Sequence, residues 1–112
     1  MAAVDCGLVV NPTGVEEQVE GGIIWGISSA LMGEITFRKG LVQQTSYADY
    51  GVARMRDTPV IEVHIVSSEA KQPFGMSEPP VPPIAPAIVN AVFAATGKRL
   101  RRLPIRPEDL KA

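Results

Sequence analysis

The chain is nearly devoid of cysteine and histidine. It has one cysteine, Cys6, and one histidine, His64, in 112 residues. A single cysteine excludes an internal disulfide and any cysteine-ligated iron–sulfur cluster. A lone histidine on a half-solvated strand is a poor metal ligand. Aromatics are scarce, at 5%. No apolar run approaches the roughly 20 residues needed to cross a bilayer, and no stretch reads as a signal peptide. The expectation is a chain without a membrane span, cytoplasmic by default. Neither charge sign dominates: 11 Lys and Arg oppose 12 Asp and Glu, a net −1. Five Lys or Arg crowd residues 98–106. No aromatic lies among them, so they read as a solvated face and not as a nucleic-acid site.

What the chain has in abundance is glycine and proline, ten of each. With 46% hydrophobic residues it has the composition of a globular protein, long enough for one domain (1–112) with a modest core. Residues 2–10 suggest a strand that runs into a turn. Asn11-Pro12 then announces a helix, with Asn11 as cap and Pro12 at the first helical position. Glu16 and Glu17 lie near its positive end. Val15, Val19, Ile23, Ile27 and Ala30 or Leu31 form one apolar stripe over 12–32. Gly21, Gly22 and Gly26 interrupt this helix, each costing roughly 1 kcal/mol against alanine. Gln18, Gly22 and Trp25 share a face away from the stripe. A glycine there admits either tight packing of another element or a flat ligand.

Gly33 suits the helix end. Ile35 and Phe37 alternate with polar neighbours, and Lys39-Gly40 signals a hairpin returning through 41–43. Residues 60–66 alternate as a strand, with Ile61, Val63 and Ile65 on one face and His64 on the other. Ile84, Ile88, Ala91 or Val92, and Ala95 mark a second helix that stops at Thr96-Gly97. A short terminal strand near Pro104 completes the order. The expected class is α+β, with two helices packed on a small mixed or antiparallel sheet.

Between strand and second helix lies "FGMSEPPVPPIAP", residues 74–86, with one acid, Glu78, before a run of prolines. It reads either as a stiff connector with a solvated acid or as a mount for a carboxylate that must not move. Pro79 confines Glu78 to extended backbone.

Four segments carry a resemblance: "VDCGLVVNP", "EQVEGGIIWGISSALMGEITF", "DYGVARMRDTPVIEVHIV" and "GMSEPPVPPIAPAIVNAVFAATGKRLRRLPI". In order, and over nearly all of 4–106, they resemble the C-terminal end of the molybdopterin-binding subunit of the xanthine dehydrogenase–aldehyde oxidase family. The isoquinoline 1-oxidoreductase β-subunit and its aldehyde dehydrogenase relatives are the nearest likeness. The resemblance implies a molybdenum hydroxylase that places a water-derived oxygen on an electron-poor carbon of an N-heterocycle or aldehyde. Glu78 falls where that family has its catalytic base. Gln18, in "QVEGG", falls where a glutamine bonds the molybdopterin, which would make the Gly22 face pterin-facing. Ser77 stands where glycine is usual, close to the cofactor region, bringing either a clash or a hydrogen bond. No side chain is implied as a direct metal ligand.

The family's subunit is several times longer, so this chain is expected to be a fragment, a separately encoded piece or a gene remnant. Its implied partners are the remainder of the molybdenum subunit and an iron–sulfur subunit. Alone it is expected to bind no cofactor, to be inactive and to form homo-oligomers through surfaces left bare. The alternative is a non-catalytic, self-associating α+β module.

Overall fold

The computed structural model describes residues 1–67 and 69–111. Its elements run β1 (Ala2–Val4), α1 (Pro12–Leu31), β2 (Phe37–Arg38), β3 (Leu41–Val42), β4 (Val63–Ile65) and α2 (Ile84–Thr96). Single 3-10 turns lie at Met55–Asp57 and Pro107–Leu110.

The long helix α1 starts as its sequence demands. Asn11 has extended backbone and its side-chain oxygen accepts from the Gly14 amide at 3.3 Å, with Pro12 at the first turn. Glu16 and Glu17 fall beyond that first turn, too far along to gain much from the helix dipole. The buried face comprises Val19, Gly22, Ile23, Gly26, Ile27 and Ala30. Gly22 therefore belongs to the packed face, which corrects its expected placement with Gln18 and Trp25, both exposed. At about 100° per residue, Gly22 lies only about 60° from Val19. The apolar stripe is wider than its large side chains suggest.

The core is small. Val19, Ile23 and Ile27 form its centre, and Ala2, Val4, Val63, Met76, Ile84 and Ile88 pack around them. Each buried Val or Ile contributes roughly 1.5–3 kcal/mol. Helix α2 packs on one side of α1 and β4 on another.

Instead of one sheet there are two small ones. β1 pairs with β4 in parallel, Ala3 opposite His64. β2 and β3 form the expected hairpin, whose turn has positive φ at both Lys39 (52°) and Gly40 (78°), the twist that favours tight hairpins. The expected strand over 2–10 stops at Val4. There the Asp5 carboxylate accepts from the Gly7 amide at 3.0 Å and the chain turns through Gly7 at φ 68°. The expected terminal strand is absent. Pro104 and Pro107 have no amide to give a ladder. The Ile105 amide instead donates to the Ala30 carbonyl at 2.9 Å, and Arg106 Nη2 donates to both Glu34 carboxylate oxygens. The tail is thereby tied to the end of α1.

The chain is poorly closed on itself. Its radius of gyration is 16.8 Å, against about 13 Å for a compact domain of this length. It exposes 8139 Å², roughly 2,000 Å² more than a compact chain of its mass. Large apolar side chains lie in that surface, among them Val60 at 91%, Tyr47 at 80% and Phe37 at 70% exposed.

The two α1 glycines in the packed face differ from Gly21. A methyl on Gly26 would lie 2.7 Å from Ile84 Cβ and 2.8 Å from the Val81 carbonyl oxygen, whereas one on Gly21 would meet nothing within 4 Å. Gly26→Ala is expected to destabilise by roughly 1–3 kcal/mol through overpacking. Gly21→Ala is expected to stabilise by roughly 0.5–1 kcal/mol through helix propensity. Urea unfolding midpoints of the two variants check this pair of opposite signs.

Candidate functional site

The segment bearing Glu78 is fixed at three points. Upstream, it crosses the end of β1. The Leu8 amide donates to the Gln72 carbonyl at 3.1 Å and the Phe74 amide to the Cys6 carbonyl at 2.8 Å. This crossing needs Gly7, because a Cβ there would lie 2.2 Å from the Gln72 oxygen. Next, the half-buried Met76 packs against the core. Downstream, Pro80 is buried in the notch left by Gly22, where an added Cβ would sit 2.9 Å from Pro80 Cβ. The Val81 amide donates to the Glu78 carbonyl at 2.9 Å, closing a turn over Pro79-Pro80. Val81 and Ile84 then occupy the second notch, at Gly26.

Ser77 and Glu78 project from this clamp into solvent. Ser77 Oγ donates to Glu78 Oε2 at 2.5 Å. The hydroxyl thus makes a hydrogen bond within the chain rather than a clash, and its partner is the acid.

Gln18 lies one turn N-terminal to Gly22, exposed at the wall of a cleft of about 260 Å³. Asn11, Gly14, Phe74 and Met76 share that wall. A second groove, of about 370 Å³, is lined by Val4, Met76, Pro79, Pro80 and Pro83. Met76 lines both hollows, so Gln18 and the Glu78 segment meet at one residue. Gly22 lines neither hollow. Of the two readings open for Gly22, tight packing is the one seen here, because the chain's own Pro80 fills the space beside it.

The fit to a molybdopterin is partial. The Gln18 amide supplies donors and an acceptor to one edge of a heterocycle. No Lys or Arg lines its cleft to balance a phosphate. Among the described residues, no cluster of three His, Cys, Asp or Glu is arranged to ligate a metal. Cys6 is buried and His64 exposed. These residues suit one cofactor contact and one acid, not an enclosure.

Pro80, Met76 and Gly26 were not anticipated as parts of the site. Gly22 and Gly26 lie one helical turn apart, and Pro80 and Ile84, the residues that fill their notches, have the same spacing in sequence.

The chain belongs to the molybdopterin cofactor-binding domain family, whose sequence pattern matches residues 1–59. It is 43% identical over 105 residues to isoquinoline 1-oxidoreductase subunit beta of Brevundimonas diminuta, covering 94% of this chain and 13% of that protein. It is 38% identical over 107 residues to a membrane-bound aldehyde dehydrogenase [pyrroloquinoline-quinone] of Gluconacetobacter polyoxogenes, covering 96% of this chain and 14% of that protein. Its fold matches quinoline 2-oxidoreductase from Pseudomonas putida 86 with a TM-score of 0.85 and 29% identity, over 96% of this chain and 15% of that one. The chain thus spans about one seventh of the length of these relatives.

Because Gln18 is exposed, its removal should leave folding alone. Gln18→Ala is expected to change stability by less than about 0.5 kcal/mol, while Gly22→Ala costs roughly 1–3 kcal/mol by displacing Pro80. Thermal melts of the two variants provide the comparison.

Proposed function

We propose that this chain is the C-terminal portion of a molybdopterin-binding domain, residues 1–112 acting as one unit. In it Glu78 serves as the general base of a molybdenum hydroxylase and Gln18 contacts the cofactor. The observation that carries the reading is the clamp: Glu78 is held between Met76 against the core and Pro80 in the Gly22 notch. A solvated connector acid needs no such mounting. A general base must lie within hydrogen-bond reach of its proton, and placement comes before basicity.

The net reaction converts R–H and water to R–OH, two protons and two electrons. The molybdenum–molybdopterin cofactor, when bound, would supply a metal centre that takes the two electrons. Glu78 accepts one of the protons at a carboxylate oxygen. The held backbone on both sides removes the backbone's share of the ordering that each turnover requires. The substrate class we infer is an N-heterocycle or an aldehyde, on the strength of the relatives' names. The assignment to molybdopterin follows the family match, although one relative's name carries pyrroloquinoline quinone. The partners implied are the remainder of the molybdenum subunit and an iron–sulfur subunit, which carries electrons away. Among the described residues no helix is long and apolar enough to cross a membrane. A cytoplasmic location remains the default within this reading.

In the complete subunit, Glu78→Gln is expected to lower turnover roughly 10²–10⁴-fold with cofactor content unchanged, whereas Gln18→Ala lowers cofactor content. Steady-state kinetics and molybdenum analysis of the purified variants separate these roles. Near-normal turnover in Glu78→Gln removes the base assignment.

The second reading, a self-associating module, is favoured by the roughly 2,000 Å² of surplus surface. That area is of the size buried in stable associations. The isolated chain is expected to form homo-oligomers through it and to hold no molybdenum. Light scattering across a concentration series tests this, and a mass of one chain throughout contradicts it.

A further inference from the structure

We propose that Ser77 is a positioning residue for Glu78: its hydroxyl holds Oε2 and leaves Oε1 as the oxygen that accepts the proton. The proposal rests on the reading of Glu78 as the general base. A free carboxylate presents two interchangeable oxygens, related by rotation about its last side-chain bond. A donor on one of them removes that equivalence. Ser77 Oγ makes this bond, at 2.5 Å to Oε2. Among the described residues, no donor reaches Oε1.

Local mechanics favour this geometry. Serine has one rotatable side-chain bond before its hydroxyl, so little freedom is lost in directing it. The backbone on either side is already fixed, by Met76 against the core and by the Val81 amide on the Glu78 carbonyl. Ser77 does not have a positive φ. A side chain is therefore tolerated at 77 without left-handed strain, even though glycine is usual there in the family that the sequence resembles. With the backbone and one oxygen held, the remaining freedom of the acid is small. The step itself is a proton transfer. The donor's O–H bond breaks, an Oε1–H bond forms, and the carboxylate becomes neutral while Oε2 keeps the Ser77 hydrogen bond. No electrons leave Glu78.

The test uses two readouts. In the 112-residue chain labelled with 13C-glutamate, the Glu78 carboxylate carbon is assigned by its loss in Glu78→Gln. Ser77→Ala is expected to move that resonance, and Ser77→Thr, which keeps a hydroxyl, to return it towards its original position. In the complete, cofactor-loaded subunit, Ser77→Ala is expected to lower kcat roughly tenfold, the scale of one hydrogen bond to a charged group. KM is expected to stay unchanged, and Ser77→Thr to restore the rate. An unmoved resonance overturns the proposal, as does a moved resonance with unchanged kcat. Glu78→Gln in the same subunit keeps the two ideas apart. If it retains turnover, the base reading itself falls. If it is inactive while Ser77→Ala behaves as the unsubstituted protein, the Ser77 proposal alone falls.

Discussion

The seating of Pro80 and Ile84 against two glycines of α1 governs the rest of the structure. Gly22 and Gly26 lie one helical turn apart on the packed face, and each leaves a hollow where any side chain would collide. A glycine inside a helix costs roughly 1 kcal/mol against alanine. Here that cost is offset by close packing with the proline segment and the start of α2. Because α1 is a rigid, 20-residue rod, whatever is seated in its notches inherits its rigidity. Glu78 stands two residues before Pro80, and so its backbone position is set by the helix.

This explains how a chain with so small a core can still present a well-placed acid. Placement is local and steric, and it does not require the whole chain to be compact. The surplus surface and the large radius of gyration belong to a different level of organisation. Side chains such as Phe37 and Val60 lie bare, as expected for elements shaped to meet a larger body.

Much of this was legible in the residues. The Asn11-Pro12 start, the stripe from Val15 to Ala30, the Lys39-Gly40 turn and the Gly97 stop all rest on short-range chemistry, and all are found. The strands were overestimated, because alternation over 60–66 says nothing about how much partner strand exists. β1 is only three residues long, so its register with β4 runs from Val63 to Ile65, with one further hydrogen bond at each end, to the Glu62 carbonyl and from the Val66 amide. The terminal segment looked like a strand but bends over 102–104, and the Ile105 amide goes to the end of α1 instead of to a ladder. The residues left packing and a ligand face both open at Gly22, because its occupant, Pro80, lies 58 residues away in sequence. Nothing local announces that contact. The Ser77–Glu78 bond joins neighbours, yet its direction depends on side-chain angles that sequence leaves open.

The contact between Gly22 and Pro80 is the point at which the account is most exposed. In the labelled chain in solution, nuclear Overhauser effects between the Gly22 α-protons and the Pro80 ring protons measure it directly. The account predicts strong cross-peaks between them. Their absence, with α1 intact by its own sequential pattern, would show the proline segment free of the helix and contradict the mounting of Glu78.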